Sequence, residues 1–125
     1  MEYQNLGRSG LKISVLTMGT MTFGGTGGFA SVGSTGVDEA RRQVDMCLDA
    51  GVNLIDTADV YSGGLSEEIV GEVLRGRRDQ VLIATKVGSE VSDAGERIAG
   101  QADALADRRG PAHALPMSTI AITSP

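Results

Sequence analysis

Cysteine is nearly absent: Cys47 stands alone in 125 residues. No internal disulfide can form, and a reducing, cytoplasmic setting is expected. Long apolar runs are missing too. None approaches the length of a bilayer-spanning helix, and the start, MEYQNLGRSG, has no signal-peptide-like apolar segment. No membrane role is expected. Basic residues are few: 11 Lys and Arg against 16 Asp and Glu leave a net charge of -5. That balance argues against nucleic acid, whose binding rests on neutralising phosphates. The pairs Arg41-Arg42, Arg77-Arg78 and Arg108-Arg109 are separated by acids and read as solvated faces. What remains is ordinary. Hydrophobic residues are 41% of the chain and the mean hydropathy is -0.01, values of a globular domain able to enclose a core.

Tyr3 to Val15 reads as two short extended pieces around Gly7-Arg8-Ser9-Gly10, a hairpin. Val15-Leu16-Thr17-Met18 is a candidate strand stopped by Gly19, and a glycine-rich loop follows from Gly24 through Gly36. The period then changes. Ala40, Val44, Cys47 and Leu48 share one face of a helix, which makes Cys47 a packing residue. Thr35 is its expected N-cap, Asp38 with Arg42 its charge support, and Gly51 its left-handed stop. Val52 to Ile55 is the next strand. Ser66 is placed to cap a second helix, with Ile69, Val70, Val73 and Leu74 on its apolar face and Gly76 at its end. Val81 to Ala84 is a continuous apolar run, which suits a parallel strand covered on both faces. The order is β-α-β-α-β, and right-handed crossovers place three parallel strands side by side. A doubly wound sheet and part of a (β/α)8 barrel both fit that order.

Polar residues stand where these strands end. Asp56 closes the second strand, Lys86 closes the third, and Tyr61 lies just past Asp56. In parallel α/β folds the C-terminal strand ends form the active face, so the three groups point into one region. A tyrosine hydroxyl ordinarily titrates near ~10, too high for easy proton donation at neutral pH. A neighbouring ammonium stabilises the phenolate, and a carboxylate holds the ammonium in place. Such a set suits protonation of a carbonyl oxygen as hydride arrives. Taken singly, each residue is as well explained as a turn former or a solvated side chain.

The local sequences are more specific. YQNLGRSGLKISVLTMGTMTFGG (3–25), GVNLIDTADVYSGGLSEEIVGEVL (51–74) and VLIATKVG (81–88) resemble the aldo-keto reductase family, in the branch with bacterial oxidoreductases and potassium-channel β subunits. The resemblance implies the N-terminal part of a (β/α)8 TIM barrel with an N-terminal β-hairpin, about three of the eight strands being present. It implies NADP(H) as cofactor and reversible reduction of an aldehyde or ketone to an alcohol. By motif, Asp56, Tyr61 and Lys86 align with the family's catalytic Asp, Tyr and Lys. Gly19, Thr20 and Met21 align with its cofactor-contacting segment, to which Asp56 also contributes. The partner expected is a small carbonyl substrate. A non-catalytic subunit of the same fold, similar to channel β subunits, is the alternative.

Gly25-Thr26-Gly27-Gly28-Phe29-Ala30 matches a dinucleotide-binding pattern, but the helical period begins only around Val37. The glycines therefore do not open a helix onto a pyrophosphate. They read as a flexible loop over the active face, and Ser62-Gly63-Gly64 as a turn.

The resemblance covers residues 1–104. Glu96 to Ala104 looks like the start of a further helix, where the family pattern would go on to a strand ending in an Asp and a carbonyl-orienting His. Residues 105–125 form a divergent tail, frame-shifted or disordered, that carries all three prolines. Its His113 lies in a turn-like context and reads as a solvent-exposed loop residue, while Ser118 to Thr123 can pair as a short strand. A truncated or frame-shifted reading of a longer gene is the expectation. Three barrel strands alone would leave two unpaired edges, so self-association through those edges and little reductase activity are expected.

Overall fold

A short hairpin and a four-stranded sheet carry the chain in the computed structural model, which describes residues 1–87 and 119–123. The hairpin pairs β1 (Tyr3–Asn5) antiparallel with β2 (Lys12–Ser14). The sheet follows with β3 (Met18–Gly19), α1 (Val37–Asp49), β4 (Leu54–Asp56), α2 (Leu65–Val73) and β5 (Leu82–Val87). A last strand, β6 (Thr119–Thr123), completes it. Sheet order is β3-β4-β5-β6, with the first three parallel and β6 antiparallel to β5. The parallel trio with helical crossovers is the expected pattern. One expected open edge is occupied, because β6 pairs along the outer side of β5 from Ile83 to Val87. Among the described residues, no helix is long and apolar enough to cross a membrane.

The two faces of the sheet are packed differently. Ile55 and Met18 join Ala40 and Val44 of α1, and Ile69, Val70 and Val73 of α2, in the main core. Their neighbours in the strands, Leu54 and Ala84, instead pack with Ile13 of the hairpin. This is the period-two alternation of a pleated strand. It has a direct consequence for the site. Asp56 shares the face of Leu54, and Lys86 that of Ala84, so both stand on the face away from the helices.

Several local expectations are corrected. The first strand lies later than the Val15–Met18 run: Val15 and Leu16 are exposed, because the Ser14 hydroxyl donates to Leu16 O at 2.6 Å and turns the chain there. The second residue of α2 is Ser66, and it caps nothing. Its hydroxyl is fully buried and donates to Thr20 O at 2.8 Å, and left-handed Gly64 occupies the N-cap position. Thr35 is not the cap of α1 either. Gly36 holds that position without a side-chain bond, and Thr35 bridges to Phe23. Arg42 pairs with Glu39, one turn back, rather than with Asp38. Gly51 does adopt the left-handed conformation, with φ 84°. Cys47 packs against the core, and burial pushes its thiol pKa up.

The hairpin closes the N-terminal end of the sheet through Asn53. Its side chain accepts from Ser14 N at 2.7 Å and donates to Lys12 O at 3.0 Å, while its own N–H donates to the Ser14 hydroxyl at 3.1 Å. Tyr3 adds a bond from its hydroxyl to Gly51 O at 2.8 Å. The opposite end of the sheet stays open to chemistry.

Candidate active site

At the C-terminal end of the parallel strands, β4 presents Asp56, and β5 presents Lys86 two residues beyond Ala84, the register partner of Asp56. Lys86 Nζ donates to Asp56 Oδ2 at 2.6 Å, to Thr57 O at 3.1 Å and to the Tyr61 hydroxyl at 3.4 Å. The three sequence-expected groups therefore meet at one ammonium. Burial is the largest single influence on that ammonium and would lower its pKa. The hydrogen bonds to Asp56 and Tyr61, with the charge on Asp56, together outweigh it, and the pKa lies above the usual lysine value. Lys86 is thus held as a cation. Its Nζ also lies 5.3 Å from the centre of the Tyr61 ring, within cation–π range.

The residues after β3 brace this arrangement. Gly19 is the register partner of Asp56, and Thr20 donates to Asp56 O from both its N–H, at 3.0 Å, and its hydroxyl, at 3.1 Å. Thr20 is fully buried, and its hydroxyl also accepts from Ser66 at 3.0 Å. Its side chain faces inward, whereas Gly19 and Met21 are exposed at the strand end. A Cβ placed on Gly19 would meet nothing within 4 Å, so a flat group has room to lie there.

The glycine-rich segment is tied down over the site rather than loose. Its base is closed by Gly24 N to Thr35 O at 3.0 Å and Thr35 N to Thr22 O at 3.1 Å. Its only helical piece is a single turn at Gly27–Phe29, so the glycines open no helix onto a phosphate. Gly25 is required by contact: at φ 78°, a Cβ there would lie 2.1 Å from Gly33 O. Phe29 meets the Tyr61 ring edge-on, with centroids 5.6 Å apart.

Ser62, which sequence reasoning passed over as a turn residue, holds the two segments together. It is buried, and at φ 52° it is the one non-glycine residue described with positive φ. Its hydroxyl donates to Phe23 O at 2.9 Å and accepts from Gly25 N at 2.9 Å, while its carbonyl accepts from the Thr26 hydroxyl at 2.7 Å. The left-handed backbone costs about 1–2 kcal/mol. Each hydroxyl bond returns about 0.5–1.5 kcal/mol, so the two effects nearly cancel. Two more contacts were also missed: Thr85 donates to Glu67 Oε1 at 2.7 Å, and Thr57 O receives Lys86. Neither follows a spacing rule. His113 and the helix expected at Glu96 to Ala104 lie outside the described residues.

Comparison with known proteins shows the family to which this parallel α/β scaffold belongs. Residues 15–110 match the Aldo/keto reductase family, and the chain belongs to that family. It is 43% identical over 91 residues to a probable voltage-gated potassium channel subunit beta of Oryza sativa subsp. japonica, covering 70% of this chain and 25% of that one. Aldo-keto reductase YhdN of Bacillus subtilis is 41% identical over 88 residues, covering 69% of this chain and 25% of the relative. Among solved structures, an aldo-keto reductase of Bacillus halodurans in its holo form superposes with TM-score 0.61 and 38% identity, across 77% of this chain and 28% of that one. The chain thus spans about a quarter of the length of the curated relatives it matches.

Proposed function

We propose that this chain carries the N-terminal part of an NADP(H)-dependent aldo-keto reductase site, with residues 1–104 belonging to a (β/α)8 barrel and 105–125 forming a divergent tail whose strand β6 pairs with β5. The observation that carries this reading is the meeting of Asp56, Lys86 and Tyr61 at one ammonium, 2.6 Å and 3.4 Å from its two side-chain partners. The open flank at Gly19, with exposed Met21 beside it, fits a nicotinamide nucleotide lying across the strand end. NADPH, when bound, supplies the hydride. Tyr61 donates its hydroxyl proton to the carbonyl oxygen, giving the alcohol, and Lys86 stabilises the phenolate left behind. Asp56 keeps Lys86 in reach of Tyr61 and balances its charge. Water then reprotonates Tyr61. Gly19, Thr20 and Met21 would form the cofactor-contacting segment, with Thr20 bracing Asp56 from inside through its N–H and hydroxyl.

Because the chain spans about a quarter of the length of its relatives, the expected rate is slow and is best followed at high protein concentration. Tyr61→Phe should lower NADPH-dependent reduction of an aromatic aldehyde by about 10²–10⁴-fold. An unchanged rate in that variant removes Tyr61 as the acid.

The 43% identity to a channel β subunit supports a second reading, a non-catalytic assembly subunit of the same fold. Sedimentation separates the two: a discrete oligomer that binds NADPH without turning over aldehyde favours the subunit. Self-association through the edge of β3 that no described strand pairs is the form such assembly would take.

A further inference from the structure

We propose that Ser62 is a positioning residue that clasps the glycine-rich segment onto the Tyr61 turn and thereby fixes Phe29 as the wall against the Tyr61 ring. The inference rests on the reading of Tyr61 as the proton donor but is tested apart from it. Tyr61 immediately precedes Ser62, so the backbone that aims the phenol is the backbone held left-handed at φ 52°. Ser62 has one hydroxyl and uses it in both directions, accepting from Gly25 N and donating to Phe23 O, each at 2.9 Å. Thr26 Oγ1 closes a third bond onto Ser62 O at 2.7 Å. Phe29 follows three residues later and meets Tyr61 with ring centroids 5.6 Å apart.

The fit leaves no slack on the loop side. A Cβ at Gly24 would fall 2.8 Å from Ser62 Cβ, so the Gly24 backbone lies directly against the Ser62 side chain. Tyr61 is then touched by Lys86 and by Phe29, and only the second contact depends on the clasp. A substrate carbonyl approaching the phenol meets an aromatic wall whose position Ser62 sets. A glycine would adopt the same backbone without strain, yet it would lose both hydroxyl bonds. The serine trades a relaxed turn for a fixed loop.

The test is NMR on the full chain with Ser62→Gly and Ser62→Ala, using the Phe29–Tyr61 ring contact and amide exchange. Both variants should weaken the ring cross-peak, and Gly25 N–H should exchange about tenfold faster. Thr57 N–H, which donates to Ala84 O at 2.8 Å in the strand ladder, should keep its protection. The melting temperature of Ser62→Gly should stay close to that of the parent chain, because relief of the left-handed strain offsets the lost bonds, so a lost ring contact there is not general unfolding. A persistent ring contact in both variants overturns the proposal. So does loss of that contact in step with Thr57 protection and melting temperature. Thr26→Ala, an exposed change, repeats the test if Ser62 variants fail to fold, and must also weaken the ring contact. In single-turnover reduction, Ser62→Ala should slow the chemical step and leave NADPH affinity unchanged. If Tyr61→Phe proves silent while the NMR changes appear, the reductase reading falls and the clasp stands.

Discussion

The two ends of the parallel sheet are built from opposite materials. At the N-terminal end, Asn53, Ser14, Lys12, Tyr3 and Gly51 are joined only by neutral hydrogen bonds, and the hairpin seals them. At the C-terminal end, a lysine and a carboxylate pair beside a phenol, with each of the pair about a third exposed. The strands between them are the same. Their alternation sends Leu54 and Ala84 under the hairpin and Asp56 and Lys86 to the mouth of the same face. The difference teaches where stability and chemistry are kept: the closed end can be optimised for packing, because nothing has to enter it.

Substitutions can break that contrast. Asn53→Ala removes two side-chain bonds at the closed end and leaves Ser14 N and Lys12 O without their partner. It should lower unfolding free energy by about 1–3 kcal/mol in urea titration. The Lys86 ammonium resonance should not move. Should that resonance shift as much as the hairpin signals, the two ends are coupled and the contrast is false.

Gly51→Ala places a Cβ at φ 84°, 2.9 Å from the Tyr3 hydroxyl. A loss of about 1–2 kcal/mol is expected, again without effect at the open end. Lys86→Met should behave the other way round. Its ion pair is partly solvated, so the stability change at neutral pH should stay below about 1 kcal/mol, while any aldehyde reduction disappears. A large stability loss in this variant would place Lys86 among the structural residues.

The smallest effect is a pH dependence. The folded chain holds the Lys86 proton more tightly than the unfolded chain does. Its contribution is therefore fully present below the unfolded lysine value, about 10.4, and is lost as pH rises through the higher folded value. Denaturation midpoints of the parent chain and Lys86→Met should run parallel from pH 6 to 9 and converge only in strong alkali. Convergence near neutrality would contradict the raised value.

Much of this was legible in the residues themselves. A continuous apolar run marked β5, the stretch after Gly51 marked β4, the 3.6-residue period marked the buried faces of α1 and α2, and polar residues at strand ends marked Asp56, Tyr61 and Lys86. Failures came where one residue suits two roles. Ser66 sits before an apolar face like a cap, yet the structure uses its hydroxyl to brace Thr20. Val15 and Leu16 have strand composition, yet Ser14 bends the chain and leaves them in solvent. Ser62 gave no signal, because a left-handed serine is decided by partners 36 to 39 positions away. Local pattern carries little information about bonds of that span.

The strand β6 sets an order of events. Strands β3, β4 and β5 are in hand once Val87 has been made, but the partner for the outer side of β5 begins only at Thr119. During synthesis, roughly thirty further residues must leave the ribosome before that edge can be filled, a delay of some seconds at ~5–20 residues per second. For that interval any passing strand competes with the chain's own. The sequence separation of β6 thus makes the fate of this protein a matter of timing, and slower elongation past Val87 would widen the window in which neighbours can pair with β5.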